Sequence, residues 1–334
     1  MKRNRQFFKK FIIFIILVIG VNAALNAVYN HWMYYFRLAR NQDKQFAVYN
    51  DTLKYLMLGN SHDRINPAVL GNGFSYMTPK ESYIETYYKL KYILEKTNKR
   101  PENIFLSIDP VNFSPRAEKD VSFEGYWKRY INYFDLAREN HDPSYIKNWF
   151  TSNFCSYVGN YKYAYMSLLF LNVDLKKIKN GYVPARNYKN FAKEPDREAL
   201  GFEIANAYLA SYGRKSVLGE CKYYLRILAL CKQYKIHLLL LRMPMTDEYL
   251  KYAQKMVDID KLDRDILNLT QAHFNDFEIL DYRNEFQGKP DFFFNTDHIN
   301  PAGVYIVSLK IKVRLEKARK EKEQKDSIKP IKKI

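Results

Sequence analysis

A chain of 334 residues, 47% hydrophobic and 27% charged, can hold one large domain, or one domain with an insertion, and is too apolar for global disorder. Its formal net charge of +18 suits anionic membranes or polymers. Zinc-finger spacing, an RNP-like strand and a helix-turn-helix pattern are all missing, so nucleic acid is not an expected partner. Cys155, Cys221 and Cys231 are too few and too scattered for a disulfide framework, and they form no CxxC or Cys/His cluster. No metal and no other cofactor is therefore expected.

Residues 1–10 carry Lys2, Arg3, Arg5, Lys9 and Lys10 and no acid. The run that follows, FIIFIILVIGVNAALNAV at 11–28, is apolar apart from Asn22 and Asn26. A spanning helix needs ~20 residues, so residues 11–30 are read as a transmembrane anchor behind a cytoplasmic basic flank, 1–10. Val21-Asn22-Ala23 before Ala24 leaves a cleaved signal peptide as the alternative. Trp32, Tyr34, Tyr35 and Phe36 suit a membrane interface and favour the anchor. Both readings place the remainder outside the cytoplasm, as the main domain of a single-pass protein of the inner or cytoplasmic membrane, in the cell envelope or periplasm.

From there the chain alternates strands and helices. Tyr55–Leu58, Ile104–Ile108, Ile236–Leu241 and Phe277–Leu280 are predicted strands; the third is an aliphatic run of the buried parallel kind. Glu81–Lys96, Val217–Tyr234, Leu262–Phe274 and Ala302–Lys320 show helical spacing. Cys221 and Cys231 fall on one predicted helix, ~15 Å apart along its axis and too far to bridge. The pattern predicts an α/β fold, a three-layer doubly wound parallel sheet over residues 50–316. Residues from about 114 to 213 break the rhythm and are read as a helical insertion over the strand ends. The stretch from Glu316 to Ile334 carries eight bases against four acids, so residues 317–334 are read as a basic disordered tail.

Two segments carry chemistry. In Leu58-Gly59-Asn60-Ser61-His62, a buried strand ends at a glycine and a serine follows in the turn. Such a turn presents a hydroxyl where helix-start N–H groups can hold an oxyanion. In Asn295-Thr296-Asp297-His298-Ile299-Asn300-Pro301, a loop histidine flanked by polar groups precedes a helix, as a general base would. Each segment alone is also explained by helix capping, through Asn60 and Ser61 or through Asn300.

Taken together, Leu58-Gly59-Asn60-Ser61-His62 and Asp297-His298-Ile299-Asn300-Pro301-Ala302-Gly303 resemble the first and last blocks of the SGNH/GDSL hydrolases. The second matches the DHLNxxG variant of membrane-anchored envelope members. These are similar to the lipoteichoic acid D-alanylation protein and the acetyltransferase-like proteins of alginate modification. The resemblance spans about Leu53 to Leu315. It implies Ser61 as nucleophile, His298 as base, and an oxyanion site at the Ser61 N–H and Asn112. It also implies a substrate that is an acylated envelope glycan or lipid, and work beside a membrane-bound O-acyltransferase.

Two departures stand out. The triad acid of the family lies three residues before the histidine, where this chain has Asn295. Asp297 adjoins His298, and adjacent side chains usually point apart, so Asn295 is expected nearer the imidazole than Asp297. Asp109-Pro110-Val111-Asn112 stands where Gly-x-Asn-Asp is usual, and no glycine follows Gly73 in the second block. His62, Arg242 and Asp247 are read as substrate contacts near Ser61. The expected function is an envelope esterase or O-acyltransferase working through a Ser–His acyl-enzyme. The alternative is a non-catalytic, membrane-tethered binding or scaffold protein on the same fold.

Overall fold

The computed structural model describes residues 2–32, 34–114, 121–122, 124–156, 178–182, 190–210 and 218–328, with single positions at 117 and 212. The chain divides into two compact units, one of Met1–Lys44 with Val121–Lys176 and one of Gln45–Asp120 with Lys177–Ile334.

The first unit contains helix α1 (Lys2–Trp32), most of α2 (Tyr34–Ala47), and α5 (Glu124–Trp127), α6 (Tyr133–Asn140) and α7 (Ser144–Phe154). Residues Asn4–His31 of α1 form a 28-residue helix long and apolar enough to cross a membrane. Trp127 and Tyr133 are fully buried. Arg129 pairs with Asp43. At the end of α6, His141 adopts a left-handed conformation and its N–H caps the Ala137 carbonyl, which closes the helix without a glycine.

Among the described residues, the second unit is built on five parallel strands, β1 (Thr52–Met57), β2 (Gly73–Ser75), β3 (Arg100–Ser107), β4 (His237–Arg242) and β5 (Phe277–Asp281), in the order β2-β1-β3-β4-β5. Side chains alternate along a strand with period two. Tyr55, Met57, Phe105, Leu239 and Leu241 therefore join one core cluster, with Val304, Val307 and Ile311 of α12 (Pro301–Ile328). Leu56, Ile104, Leu106, Leu238 and Leu240 point to the opposite face and are equally buried. A sheet buried on both faces explains why these strands are aliphatic almost without interruption. The other helices are α3 (Pro67–Leu70), α4 (Tyr83–Lys96), α8 (Arg197–Leu209), α9 (Lys222–Tyr234), α10 (Asp247–Met256) and α11 (Ile259–His273). Helix α4 packs on α9, α9 on α11, α12 on α3 and α8 on α10.

The four expected strands exist, and Ile104–Ile108 and Ile236–Leu241 fall on adjacent parallel strands, β3 and β4. β3 starts earlier than expected because Pro101 is accommodated at its entry, where a missing N–H costs little. β2 is an unforeseen strand. Three residues including a glycine carry too little periodicity to read.

Three expectations need correction. The helix expected from Val217 begins at Lys222, and Val217 lies outside the described residues. The stretch expected as one insertion divides: of its described residues, 121–122 and 124–156 belong to the first unit and 114, 117, 178–182, 190–210 and 212 to the second. Within that stretch, 115–116, 118–120, 123, 157–177, 183–189, 211 and 213 lie outside the described residues. The segment expected to be a disordered tail is helical as far as Ile328. Its charges sit at i,i+4 spacing, Lys317 to Glu321 and Arg319 to Glu323, so they support the helix that they were taken to oppose. Residues 329–334 lie outside the described residues.

Candidate active site

Strand order reverses between β1 and β3, since β2 extends the sheet on one side of β1 and β4 and β5 extend it from β3. Ligands of such sheets bind beyond the strand carboxyl ends at this switch point. The exit of β1 delivers Ser61 and the exit of β3 delivers Asn112.

Gly59 ends β1 with φ of 120°, a conformation open to glycine and strained for other residues. The chain then turns into a single 3-10 turn, Ser61–Asp63, capped by Asn60, whose Oδ1 accepts from the His62 N–H at 2.8 Å. The other arm of the Asn60 amide, Nδ2, donates to Asn112 Oδ1 at 3.0 Å. This bond ties the two strand exits together. With its oxygen engaged, Asn112 offers Nδ2 as a donor.

The base comes from a closed loop ahead of α12. Phe293 and Ile299 form an antiparallel bridge, the Phe294 N–H donates to the His298 carbonyl, and the Asn300 N–H donates to the Phe292 carbonyl, both at 2.8 Å. Asn300 Oδ1 caps α12 by accepting from the N–H groups of Ala302 and Gly303. A Cβ at position 303 would stand 2.9 Å from the Phe292 carbonyl oxygen, so glycine there lets the helix close on the loop. Thr246, just past β4, donates from its backbone and its hydroxyl to the Thr296 carbonyl.

This loop aims His298 at Ser61, with Nε2 2.8 Å from Oγ. On the other side of the ring, Nδ1 lies 2.9 Å from Asp297 Oδ1 and 3.1 Å from Asn295 Oδ1. The expectation that Asn295 would be the nearer partner is thus overturned. Backbone bends run from Phe294 to Asp297, and on a bent chain adjacent side chains converge. The result is a charged Ser61–His298–Asp297 chain. With Nδ1 protonated toward the carboxylate, Nε2 is free to accept the Ser61 proton.

Asp297 serves two imidazoles. His62 Nε2 stands 3.0 Å from Asp297 Oδ2, and the rings of His62 and His298 meet edge to face at 4.5 Å. Burial would raise the Asp297 carboxyl. The charges of His298 and His62 and their hydrogen bonds outweigh burial and hold it well below the usual range. Burial pushes His298 down. Asp297 pulls it back up, and the charges of His62 and Arg64 add to the downward push. A depressed imidazole is neutral at pH 7 and ready to act as a base.

The surrounding wall is acidic and aromatic. Tyr208, on α8, is raised by burial, then by the charge of Asp297 and a hydrogen bond to it. Its ring lies 5.7 Å from that of His62. Asp109, buried after β3, is raised by burial against the charges of His62 and Arg283.

Of the expected residues, Ser61, His62, Asn295, Asp297 and His298 come together, and Asn112 joins them through Asn60. Arg242 and Asp247 have partners within the protein. Arg242 ends β4 opposite Asp281 in register and binds it at 2.8 Å, with Asp263 3.2 Å away. Its guanidinium lies in this ion cluster at the end of β4. Asp247 starts α10 and accepts from the Gly288 N–H at 2.8 Å, a turn-holding and dipole-matching role. The sequence reading missed Asn60 as a strut, Tyr208 and Asp109. Only Asn60 carried a signal, one that capping alone explained.

His62, Asp297 and His298 also offer donor atoms within 4.8 Å of one another, a set of the kind that holds a metal ion. Their separations of 2.9 and 3.0 Å are those of direct imidazole–carboxylate contacts, and the remaining His298 nitrogen is engaged by Ser61. The set reads more simply as the Ser61–His298–Asp297 chain with His62 against its carboxylate than as a metal centre.

No protein-family model matches the chain, and no curated protein matches its sequence significantly.

Proposed function

We propose that the sheet domain is an acyl-ester hydrolase or O-acyltransferase of SGNH type, working through a covalent acyl-enzyme on Ser61. The observation that carries this reading is the 2.8 Å contact of Ser61 Oγ with His298 Nε2, with Asp297 behind the ring. A serine becomes a useful nucleophile only beside such a base.

In the first half-reaction, Ser61 Oγ attacks the acyl carbonyl as His298 Nε2 takes its proton. The charge on the carbonyl oxygen is met by the Ser61 N–H and by Asn112 Nδ2. Collapse expels the alcohol, which leaves with the proton returned by His298. In the second half-reaction, water or a sugar hydroxyl gives its proton to His298 and attacks the acyl-Ser61 carbonyl; the acyl–Oγ bond then breaks as His298 returns the proton to Oγ, releasing the free acid or the new ester. Asp297 stays ionised and steadies the imidazolium.

An apolar helix of membrane-spanning length at the N-terminus and a basic chain of +18 suit an acylated envelope glycan or lipid-linked polymer as substrate. A membrane-bound O-acyltransferase is the proposed acyl supplier. The test is covalent labelling by a fluorophosphonate probe. Wild-type protein should be labelled at Ser61, and Ser61→Ala should not be labelled at all. Labelling that persists in Ser61→Ala, or a folded wild-type protein inert to the probe, sinks the proposal.

A further inference from the structure

The two polar side chains of the apolar run, Asn22 and Asn26, are both used. Asn22 Nδ2 donates to the Phe154 carbonyl at 2.7 Å and Asn26 Nδ2 to the Asn153 carbonyl at 2.9 Å. Asn26 Oδ1 accepts from the Ser156 N–H at 2.9 Å. The last turn of α7, whose carbonyls lack partners within the helix, is thereby pinned to α1. In hydrocarbon an amide side chain must find such a partner.

Depth follows from helix geometry. Counted from Phe11 at 1.5 Å per residue, Asn22 lies ~16 Å and Asn26 ~22 Å along the axis, within an apolar layer ~30 Å thick. The end of α7 is therefore fixed in the half of the layer remote from the basic flank. Its surface matches that place. Ile146, Phe150 and Phe154 are 43%, 53% and 48% exposed, and their i, i+4, i+8 spacing puts them in one stripe. Phe150 and Phe154 have ring centroids 5.2 Å apart. Trp149 lies 5.8 Å from Phe154 and 5.0 Å from Phe134, another exposed aromatic. Tyr145 and Ser152, on the other side, are buried. A water-facing surface rarely carries such a continuous apolar patch.

We propose that α7 is a lipid-embedded helix whose Ile146–Phe150–Phe154 stripe faces the acyl chains, in the leaflet around the carboxyl-terminal half of α1. The apolar window of α1 is itself wholly unburied, so stripe and span form one lipid-facing surface. This rests on α1 spanning the bilayer and is independent of the chemistry proposed for Ser61.

The experiment uses the full chain in nanodiscs of phosphatidylcholine and phosphatidylglycerol doped with a lipid bearing a diazirine on its acyl chain. After irradiation, adducts are mapped by mass spectrometry. Adducts are expected on the apolar run 11–28 and on Ile146, Phe150 and Phe154. The double variant Phe150→Ser, Phe154→Ser should keep the α1 adducts and an unchanged circular dichroism spectrum while α7 labelling falls at least tenfold. Labelled α1 with clean α7 overturns the proposal, as it would if a second copy of the chain covered the stripe. Absence of adducts on both helices also overturns it, and identifies the span as the failed premise.

Discussion

Asp297 holds the imidazole of its own neighbour in the chain, His298, with Oδ1 2.9 Å from Nδ1. Asn295 reaches the same nitrogen at 3.1 Å but brings no charge to steady an imidazolium. Asp297→Asn should therefore slow probe labelling by about a thousandfold or more, as loss of a triad acid does elsewhere. Asn295→Ala should cost about tenfold or less, the scale of one neutral hydrogen bond. Labelling rates for both variants decide the matter, and the reverse order would restore Asn295 as the orienting group.

The pH dependence has a definite sign. Burial first, and then the charges of His62 and Arg64, set His298 below its ordinary value of 6.5 against the pull of Asp297. Labelling should be flat through pH 7–8 and should fall by half only below pH 6.5. Stability follows the same direction. The unfolded chain protonates His298 near 6.5 while the folded protein resists, so acid removes stability as pH falls from there toward the lower folded value. For Asp297 the same loss begins near its ordinary 3.8 and continues downward. Because the raised carboxyl of Asp109 acts with the opposite sign, the check for His298 is the urea midpoint of the wild type minus that of His298→Gln across pH 4–8, which should shrink on the acid side; a difference that grows there would contradict the His298 shift.

A dry ion pair fastens the segment after β2. Lys89 is fully buried, and its Nζ reaches Glu81 Oε2 and the Tyr76 carbonyl at 2.6 Å and Thr78 Oγ1 at 3.0 Å. Glu81 also accepts from the Thr78 N–H and the Thr86 hydroxyl. Removing one partner strands the other charge, so Lys89→Met should destabilise by about 3–5 kcal/mol. Adding Glu81→Gln should recover a good part of that loss. Thermal or urea unfolding of the single and double variants checks both, and a neutral Lys89→Met would show the pair to be dispensable.

How much of this was legible depends on the kind of signal. The buried strands were readable because a sheet covered on both faces demands aliphatic residues at both parities, as in Leu238–Leu241. Ser61 and His298 were readable because each stands at a break in pattern, one after a strand and one before a helix. The role of Asp297 was not readable. It depends on backbone bends between Phe294 and Asp297, which residue types there do not specify. The ion pair of Arg242 with Asp281 was hidden as well. It depends on the register that sets Asp281 opposite Arg242, a long-range fact with no local trace. The helix beyond Lys320 was misread because net charge was weighed without its i,i+4 pairing.

His62 offers the sharpest remaining test, because it touches the relay without being one of its three members. Its Nε2 stands 3.0 Å from Asp297 Oδ2, so it restrains the carboxylate through the oxygen that His298 does not use. Its charge also helps to push His298 down. His62→Phe keeps an aromatic ring against Tyr208 and removes both effects. Labelling at pH 8, where His298 is neutral in either protein, should fall about tenfold, since Asp297 loses a restraint but remains in place. The acid limb should move upward toward 6.5, because a group that opposed protonation of His298 is gone. A purely structural role would lower stability and the yield of active protein while leaving the pH profile of the surviving fraction unchanged. A metal-ligand role is separated by a third measurement, labelling after incubation with a strong chelator. A relay without a metal should be indifferent to it, whereas a His62–Asp297–His298 metal site should lose activity and regain it with added zinc. An unchanged acid limb in His62→Phe, or labelling that falls with chelator, would overturn the role given to His62.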